Sequence, residues 1–277
     1  MEILTINVGQ GAFVVVRDPD EAVIIDTRIP SGGDRSTEYV KGALALAVKD
    51  RNVRGLVLTG FDRDHADVSG VAISLRKYRP DWVMYPMYKK PTAAATAVFD
   101  VIRDEEQSRR STRQPLERLS IRLDKLESRK APAGALCSAM SFELFSPHPD
   151  GMDSSNDSSL VAKISSRVLT YLVTGDAEVG RWETIGRLFR GGLKSDVMAA
   201  PHHGSRNGAH LAALQHIQPH TVLISAGVGN SYGHPHREAL AAFRAVGAEV
   251  HSTHEGHSLH TYRDRAGRIR TDRGSMT

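Results

Sequence analysis

A single cysteine, Cys137, is all the thiol chemistry in this 277-residue chain. That excludes an internal disulfide framework and suits a reducing cytoplasm. Long apolar runs are also missing: no stretch approaches the roughly 20 residues of a membrane span. Met1-Glu2-Ile3-Leu4 opens directly into a strand pattern with no basic leader. Charge of one sign is scarce, with 36 Lys and Arg against 32 Asp and Glu, a net charge of +4 and a pI near 9.2. This mild excess permits a polyanionic partner such as nucleic acid without requiring one. Neither a linker between two cores nor an internal repeat is evident. The chain reads as one soluble cytoplasmic α/β domain, long enough to bury a sizeable core and with no membrane partner.

Three short apolar segments over 2–8, 12–17 and 22–26 read as successive strands, joined by Gly9-Gln10-Gly11 and Asp18-Pro19-Asp20-Glu21. That is an antiparallel meander. Helical spacing over 36–50, a strand over 55–58, a helix over 69–77 opened by Ser69, and a strand over 82–85 follow. Residues 89–130 look like an insertion of two helices, 91–106 and 115–127, each opened by proline. With 8 Lys/Arg and 6 Asp/Glu from Asp104 to Lys130, it reads as a solvated hairpin or as a surface for a protein partner or phosphate. From Met140 onward strands and helices alternate again.

The chemistry gathers at strand ends. Leu58-Thr59-Gly60-Phe61-Asp62-Arg63-Asp64-His65 places two carboxylates and an imidazole in one turn, hard and borderline donors that suit zinc, manganese or magnesium. The bland alternative is a polar loop whose Asp residues cap the next helix. Asp176 follows a strand and a glycine in Thr174-Gly175-Asp176-Ala177-Glu178. Adjacent imidazoles stand in Pro201-His202-His203-Gly204-Ser205, and two more in Tyr232-Gly233-His234-Pro235-His236. Of 13 histidines, 12 lie from His148 onward. Asp26, closing the third strand, is either a support for these groups or a simple strand-end turn.

Taken in order with Val8-Gly9-Gln10-Gly11, Ile25-Asp26-Thr27 and Asn156-x-x-Ser159-Leu160-Val161, these motifs resemble the metallo-β-lactamase superfamily. Within it, they are most similar to the hydrolase domain of ComEC-type competence proteins. The resemblance implies an αββα sandwich, two mixed sheets face to face with helices outside. It implies metal ligands at Asp62, Asp64, His65, Asp176 and one of His202 and His203. We favour His203, which would leave His202 to touch the substrate. His148 is the only histidine between His65 and Asp176 that could serve as the upstream histidine ligand. His234 and His236 would bind substrate or move protons, and Ser205 and Asn156 would contact substrate.

One position departs from the pattern. Where the family begins its metal motif with histidine, this chain has Gly60, which offers no side chain. The expectation is one firm zinc or manganese position and a second that is weak or empty, with Gly60→His raising occupancy of the second. Metal-assisted hydrolysis of a phosphodiester, DNA among them, is the implied reaction, with Asp64 orienting water. A small ester, lactone or nucleotide substrate and a degenerate binding module are the alternatives.

Overall fold

The computed structural model describes all residues except 31, 89, 124–126, 150–153 and 275–277. β1 (Glu2–Thr5), β2 (Val14–Arg17) and β3 (Glu21–Ile25) form the antiparallel meander. The chain then returns through α1 (Asp34–Val48), so that β4 (Asn52–Val57) lies parallel to β3. α2 (Val68–Tyr78) and β5 (Trp82–Pro86) repeat the move, as do α3 (Ala93–Arg109) and β6 (Glu117–Ile121). A second sheet begins with β7 (Arg129–Ala131), β8 (Ser141–Ser146), β9 (Val161–Ser165) and β10 (Thr170–Val173), all antiparallel. It continues in parallel through α4 (Val179–Phe189), β11 (Val197–Ala199), α5 (Leu211–Ile217), β12 (Thr221–Ile224), α6 (Arg237–Ala245) and β13 (Glu249–Ser252). β14 (Ser258–Arg263) and β15 (Ile269–Gly274) close the chain on the first sheet, β14 beside β1.

The strand orders are β15-β14-β1-β2-β3-β4-β5-β6 and β13-β12-β11-β10-β9-β8-β7. Each half is thus a meander followed by parallel crossovers, and burial explains the layers. Along β3, Val23 and Ile25 point into the layer between the sheets, while Ala22 and Ile24 point under the helices. A strand covered on both faces reads as a continuous apolar run, which is why β3 lacks polar alternation. Val40, Ala43, Leu44 and Ala47 of α1 fill the outer layer at helical spacing. Trp182, Leu214 and Phe243 do the same for the helices over the second sheet. The result is the expected sandwich of two mixed sheets with helices outside.

Two expectations need correction. The stretch 115–127 is not a helix: Glu117–Ile121 is a strand paired parallel to β5, from Trp82↔Glu117 to Pro86↔Ile121. Leu119, Ile121 and Leu123 alternate along the chain, and the three pack in the layer between the sheets. That period of two outweighs the weak helical spacing. Residues 124–126 of the expected helix lie outside the described residues, and Arg129–Ala131 joins the second sheet. Among its described residues the stretch 89–130 therefore holds one helix and two sheet-edge strands, not a helical hairpin. The cap of α2 is Asp67, whose carboxylate accepts from the Ser69 N–H at 3.0 Å; Ser69 lies inside the helix.

Candidate metal centre

Beyond β4 the chain makes one helical turn, with the His65 and Ala66 N–H groups both donating to the Asp62 carbonyl. That turn sends Asp64 and His65 inward. It is held from the opposite loop, where the Ala12 N–H donates to the Asp64 carbonyl at 2.8 Å. Gly11 makes this approach possible: at φ +126°, a Cβ there would lie 2.6 Å from the Asp64 oxygen. Gly175 serves the second sheet in the same way, since at φ +52° a Cβ would lie 2.8 Å from the Ser159 Cβ. The Ser159 hydroxyl in turn accepts from the Asp176 N–H at 3.0 Å.

His202 and His203 both take left-handed backbone, at φ 49° and 55°. Two such non-glycine residues in a row cost about 1–3 kcal/mol each. The turn they make separates their rings. His203 points inward and donates from Nδ1 to the Ser225 carbonyl at 2.9 Å. His202 points toward Glu178, with Nδ1 3.1 Å from Oε1. His65 is aligned likewise: its Nδ1 lies 2.8 Å from Asp26 Oδ2, and Asp26 also accepts from the Thr59 N–H at 2.7 Å. An imidazole that donates from Nδ1 carries its lone pair on Nε2, so both rings present a free nitrogen to the same space.

Asp64, His65, Asp176 and His203 thus offer ligand atoms that all lie within 4.8 Å of one another. His203 Nε2 is 3.4 Å from Asp64 Oδ2 and 3.5 Å from Asp176 Oδ1, and His65 Nε2 is 2.9 Å from Asp176 Oδ1. Ligands about 2.0–2.2 Å from a tetrahedral zinc stand about 3.3–3.6 Å apart; the two His203 spacings match that range, and the His65–Asp176 pair would open by a few tenths of an ångström to share the ion. The donors also fit on a second count. His65 Nε2, Asp176 Oδ1 and His203 Nε2 are buried and make no well-formed hydrogen bond among the described residues. Three such atoms facing each other would each be costly unless they share a cation.

The electrostatics agree. Burial acts to raise the Asp64 and Asp176 carboxyls, yet His203 and His65 hold both below the ordinary range. Burial acts to lower His65 and His203, but Asp176, with Asp26 and Asp64, holds both above it. Both carboxylates are therefore held ionised by positive charge on the neighbouring imidazoles, the charge that a bound cation would supply in their place.

The other residues expected at the site fall into three groups. Asp62, Asn156, His202 and His234 line a cavity of about 450 Å³ beside the cluster, together with Arg28 and Arg63. His234 is pushed down to about 4 by burial and by His203, His202 and His236, so its ring is neutral at pH 7. His236, with its ring 4.8 Å from that of His234, and Ser205 both hold the backbone of the neighbouring turn. His236 Nδ1 accepts from the Arg206 N–H at 3.0 Å, and the Ser205 hydroxyl accepts from the Asn207 N–H at 3.3 Å. His148 stands outside the four-donor group: fully buried, it stacks on Phe189 at 6.0 Å against the helix side of the second sheet. The sequence reading missed Lys90, whose ammonium pairs with Asp62, and Tyr88, whose hydroxyl accepts from the Phe61 N–H at 3.0 Å. Only the proximity of Tyr88 and Lys90 to β5, a strand end like the others, hinted at them.

Comparison with known proteins follows the same lines. A model of the metallo-beta-lactamase superfamily matches residues 6–228. ComE operon protein 3 of Bacillus subtilis is 26% identical over 284 aligned positions, covering 96% of this chain and 34% of that protein. The chain therefore spans about a third of that relative's length. Among solved structures, Igni18, a metallo hydrolase from Ignicoccus hospitalis, superposes with a TM-score of 0.54 at 13% identity, covering 95% of this chain and all of that one. Zinc-bound PqqB from Methylobacterium extorquens gives 0.53 at 11% identity, covering 91% and 98%. Among the described residues no helix is long and apolar enough to cross a membrane.

Proposed function

Because the chain belongs to the metallo-beta-lactamase superfamily, we propose that its metal-dependent hydrolase fold acts on phosphodiesters, nucleic acid foremost. The observation that carries this reading is the placement of Arg28 and Arg63 on the wall of the cavity that opens onto the four-donor cluster. Guanidinium groups match phosphate oxygens in charge and geometry; the two here lie near Asp67, at 3.8 and 3.4 Å, but their N–H donors outnumber what one carboxylate accepts, whereas an ester or lactone carbonyl has no use for two of them.

Asp64, His65, Asp176 and His203 would hold a divalent cation, zinc or manganese. Bound there, it supplies a Lewis acid and lowers the pKa of a coordinated water toward roughly 7. The chain's own groups do the rest. Asp64, partly open to the cavity, accepts a hydrogen bond from the attacking water and so sets its direction. His202, whose Nδ1 stands 3.1 Å from Glu178 Oε1, keeps Nε2 for the substrate or the leaving oxygen. Glu178 is itself steadied by the Asn156 amide at 3.2 Å. The neutral His234 ring offers a hydrogen bond to a non-bridging oxygen without adding charge.

The test uses the full chain reconstituted with zinc or manganese. It is offered bis(p-nitrophenyl) phosphate, single- and double-stranded DNA, p-nitrophenyl acetate and a γ-lactone. Chelator-sensitive cleavage of the phosphodiesters is the expected result. Turnover of the ester or lactone alone would transfer the fold to small-molecule hydrolysis. Absence of turnover on every substrate would favour a binding module, the reading that Gly60 keeps open.

A further inference from the structure

Gly60 is unlike the other glycines of the site. Its φ is not positive, and a Cβ built on it meets only the Tyr88 hydroxyl, at 3.6 Å. Backbone geometry does not impose glycine here as it does at Gly11 and Gly175. What stands against this open position comes from the segment between β5 and α3. Phe61 packs on Tyr88 and on Phe99 of α3, with ring centroids 5.4 and 4.4 Å apart, which draws that segment over the metal turn. Two residues beyond Tyr88, the Lys90 ammonium lies on Asp62 Oδ1 and reaches the Ser155 hydroxyl at 3.4 Å, with its side chain 17% exposed.

We propose that the Lys90 ammonium, seated on Asp62 beside Gly60, takes the place of a second metal ion, so that the pocket works with one divalent cation and one fixed ammonium. Charge supports the assignment. The cavity carries three carboxylates, Asp62, Asp64 and Asp176, and two guanidiniums, Arg28 and Arg63, that share Asp67, so that beside Lys90 one divalent cation already offsets the net negative charge. Two divalent ions and Lys90 together would leave the same carboxylates overcharged. Coordination supports it too. Asp62 is absent from the four-donor group, and its oxygen is already engaged by Lys90. An ammonium has three N–H donors and no site for a water ligand. It can grip an anionic oxygen of the substrate but cannot activate water, which leaves that task to the single ion. The sequence-based expectation for Gly60→His changes accordingly: the imidazole alone does not recruit a second ion while the ammonium remains. The inference rests on the metal reading of the cluster and is independent of which substrate is cleaved.

The experiment counts ions. Wild type, Gly60→His, Lys90→Met and the Gly60→His/Lys90→Met double variant are equilibrated with Mn²⁺ or Zn²⁺, freed of excess by gel filtration, and assayed by inductively coupled plasma mass spectrometry. The expected counts are one ion per chain for wild type and for each single variant, and two for the double variant. Two ions in wild type or in Gly60→His would overturn the proposal, as would one ion in a folded double variant. Should the double variant not fold, inorganic phosphate binding to one-ion wild type and Lys90→Met decides, measured by equilibrium dialysis. Loss of a charge-assisted hydrogen bond should weaken phosphate roughly tenfold or more at an unchanged ion count. Equal affinity would overturn the proposal. Because ions and phosphate are counted rather than turnover, failure here is separable from failure of the phosphodiesterase reading.

Discussion

Asp26→Asn is the most informative single change outside the ligands themselves. Asp26 touches no cation; it receives the His65 Nδ1–H at 2.8 Å, and the Thr59 N–H and hydroxyl at 2.7 and 2.8 Å. An asparagine of the same shape keeps one oxygen for Thr59 but turns an NH₂ toward His65. Two donors then face each other, and the imidazole relieves the clash by moving its proton to Nε2, the atom meant for the metal. Loss of such a supporting carboxylate costs about 10–100-fold in metal affinity, which is about 1.4–2.7 kcal/mol. Thr59 Oγ1, 2.9 Å from His65 Nδ1, can accept in its place, so the lower end of the range applies here. The assay is zinc affinity by competition with a chromophoric chelator, backed by thermal melts with and without metal. A tenfold weaker Kd removes about 1.4 kcal/mol of metal-derived stabilisation at fixed excess zinc. An affinity within twofold of wild type would refute the claim that Asp26 sets the His65 tautomer.

Gly11→Ala forces a Cβ to within 2.6 Å of the Asp64 carbonyl at a glycine-only φ, and should cost about 1–3 kcal/mol in urea melts along with metal affinity. An unchanged melt would mean that the loop does not grip Asp64. His202→Ala should lower phosphodiester turnover roughly 10²-fold or more while leaving the ion count alone, because the ring pairs with Glu178 rather than with the cluster. Full turnover would remove His202 from the chemistry. On β1, between β14 and β2 of the first sheet, hydrogen bonds from His260 and Arg17 outweigh burial and draw the Glu2 carboxyl from 4.5 down to about 2. A lowered carboxyl stabilises the fold above its unfolded value and loses that contribution as pH falls through the folded one. The melting-temperature gap between wild type and Glu2→Gln should therefore be full at pH 7, shrink below pH 4.5 and close near pH 2. A gap unchanged at pH 2 would contradict the assignment.

Strand ends and their polar clusters were readable in the sequence because both signals are local. An apolar run that stops at Thr59 and releases Asp62, Asp64 and His65 needs no knowledge of the rest of the chain. The meander was readable for the same reason. The edge strand β6 was not, since the residues from Leu116 to Leu123 satisfy a helical and an alternating pattern almost equally. Pairing with β5 decides between them. The choice between His202 and His203 rests on two left-handed residues that no side-chain pattern announces. His148 shows the limit of residue type alone: two residues beyond β8, it stands beside Phe189 and outside the four-donor group. Lys90 was invisible for a third reason. Its partner Asp62 is 28 residues away, and only the packing of Phe61 on Tyr88 brings the two together.

The central claim is that Asp64, His65, Asp176 and His203 hold one divalent cation between the two sheets. Zinc K-edge X-ray absorption on the full chain loaded with zinc tests it most directly. The account predicts two imidazole nitrogens at about 2.0–2.1 Å and carboxylate oxygens at about 2.0–2.2 Å, with no zinc–zinc scattering at about 3.5–4 Å. A zinc shell without imidazole, or a protein that retains no zinc after gel filtration, would contradict it.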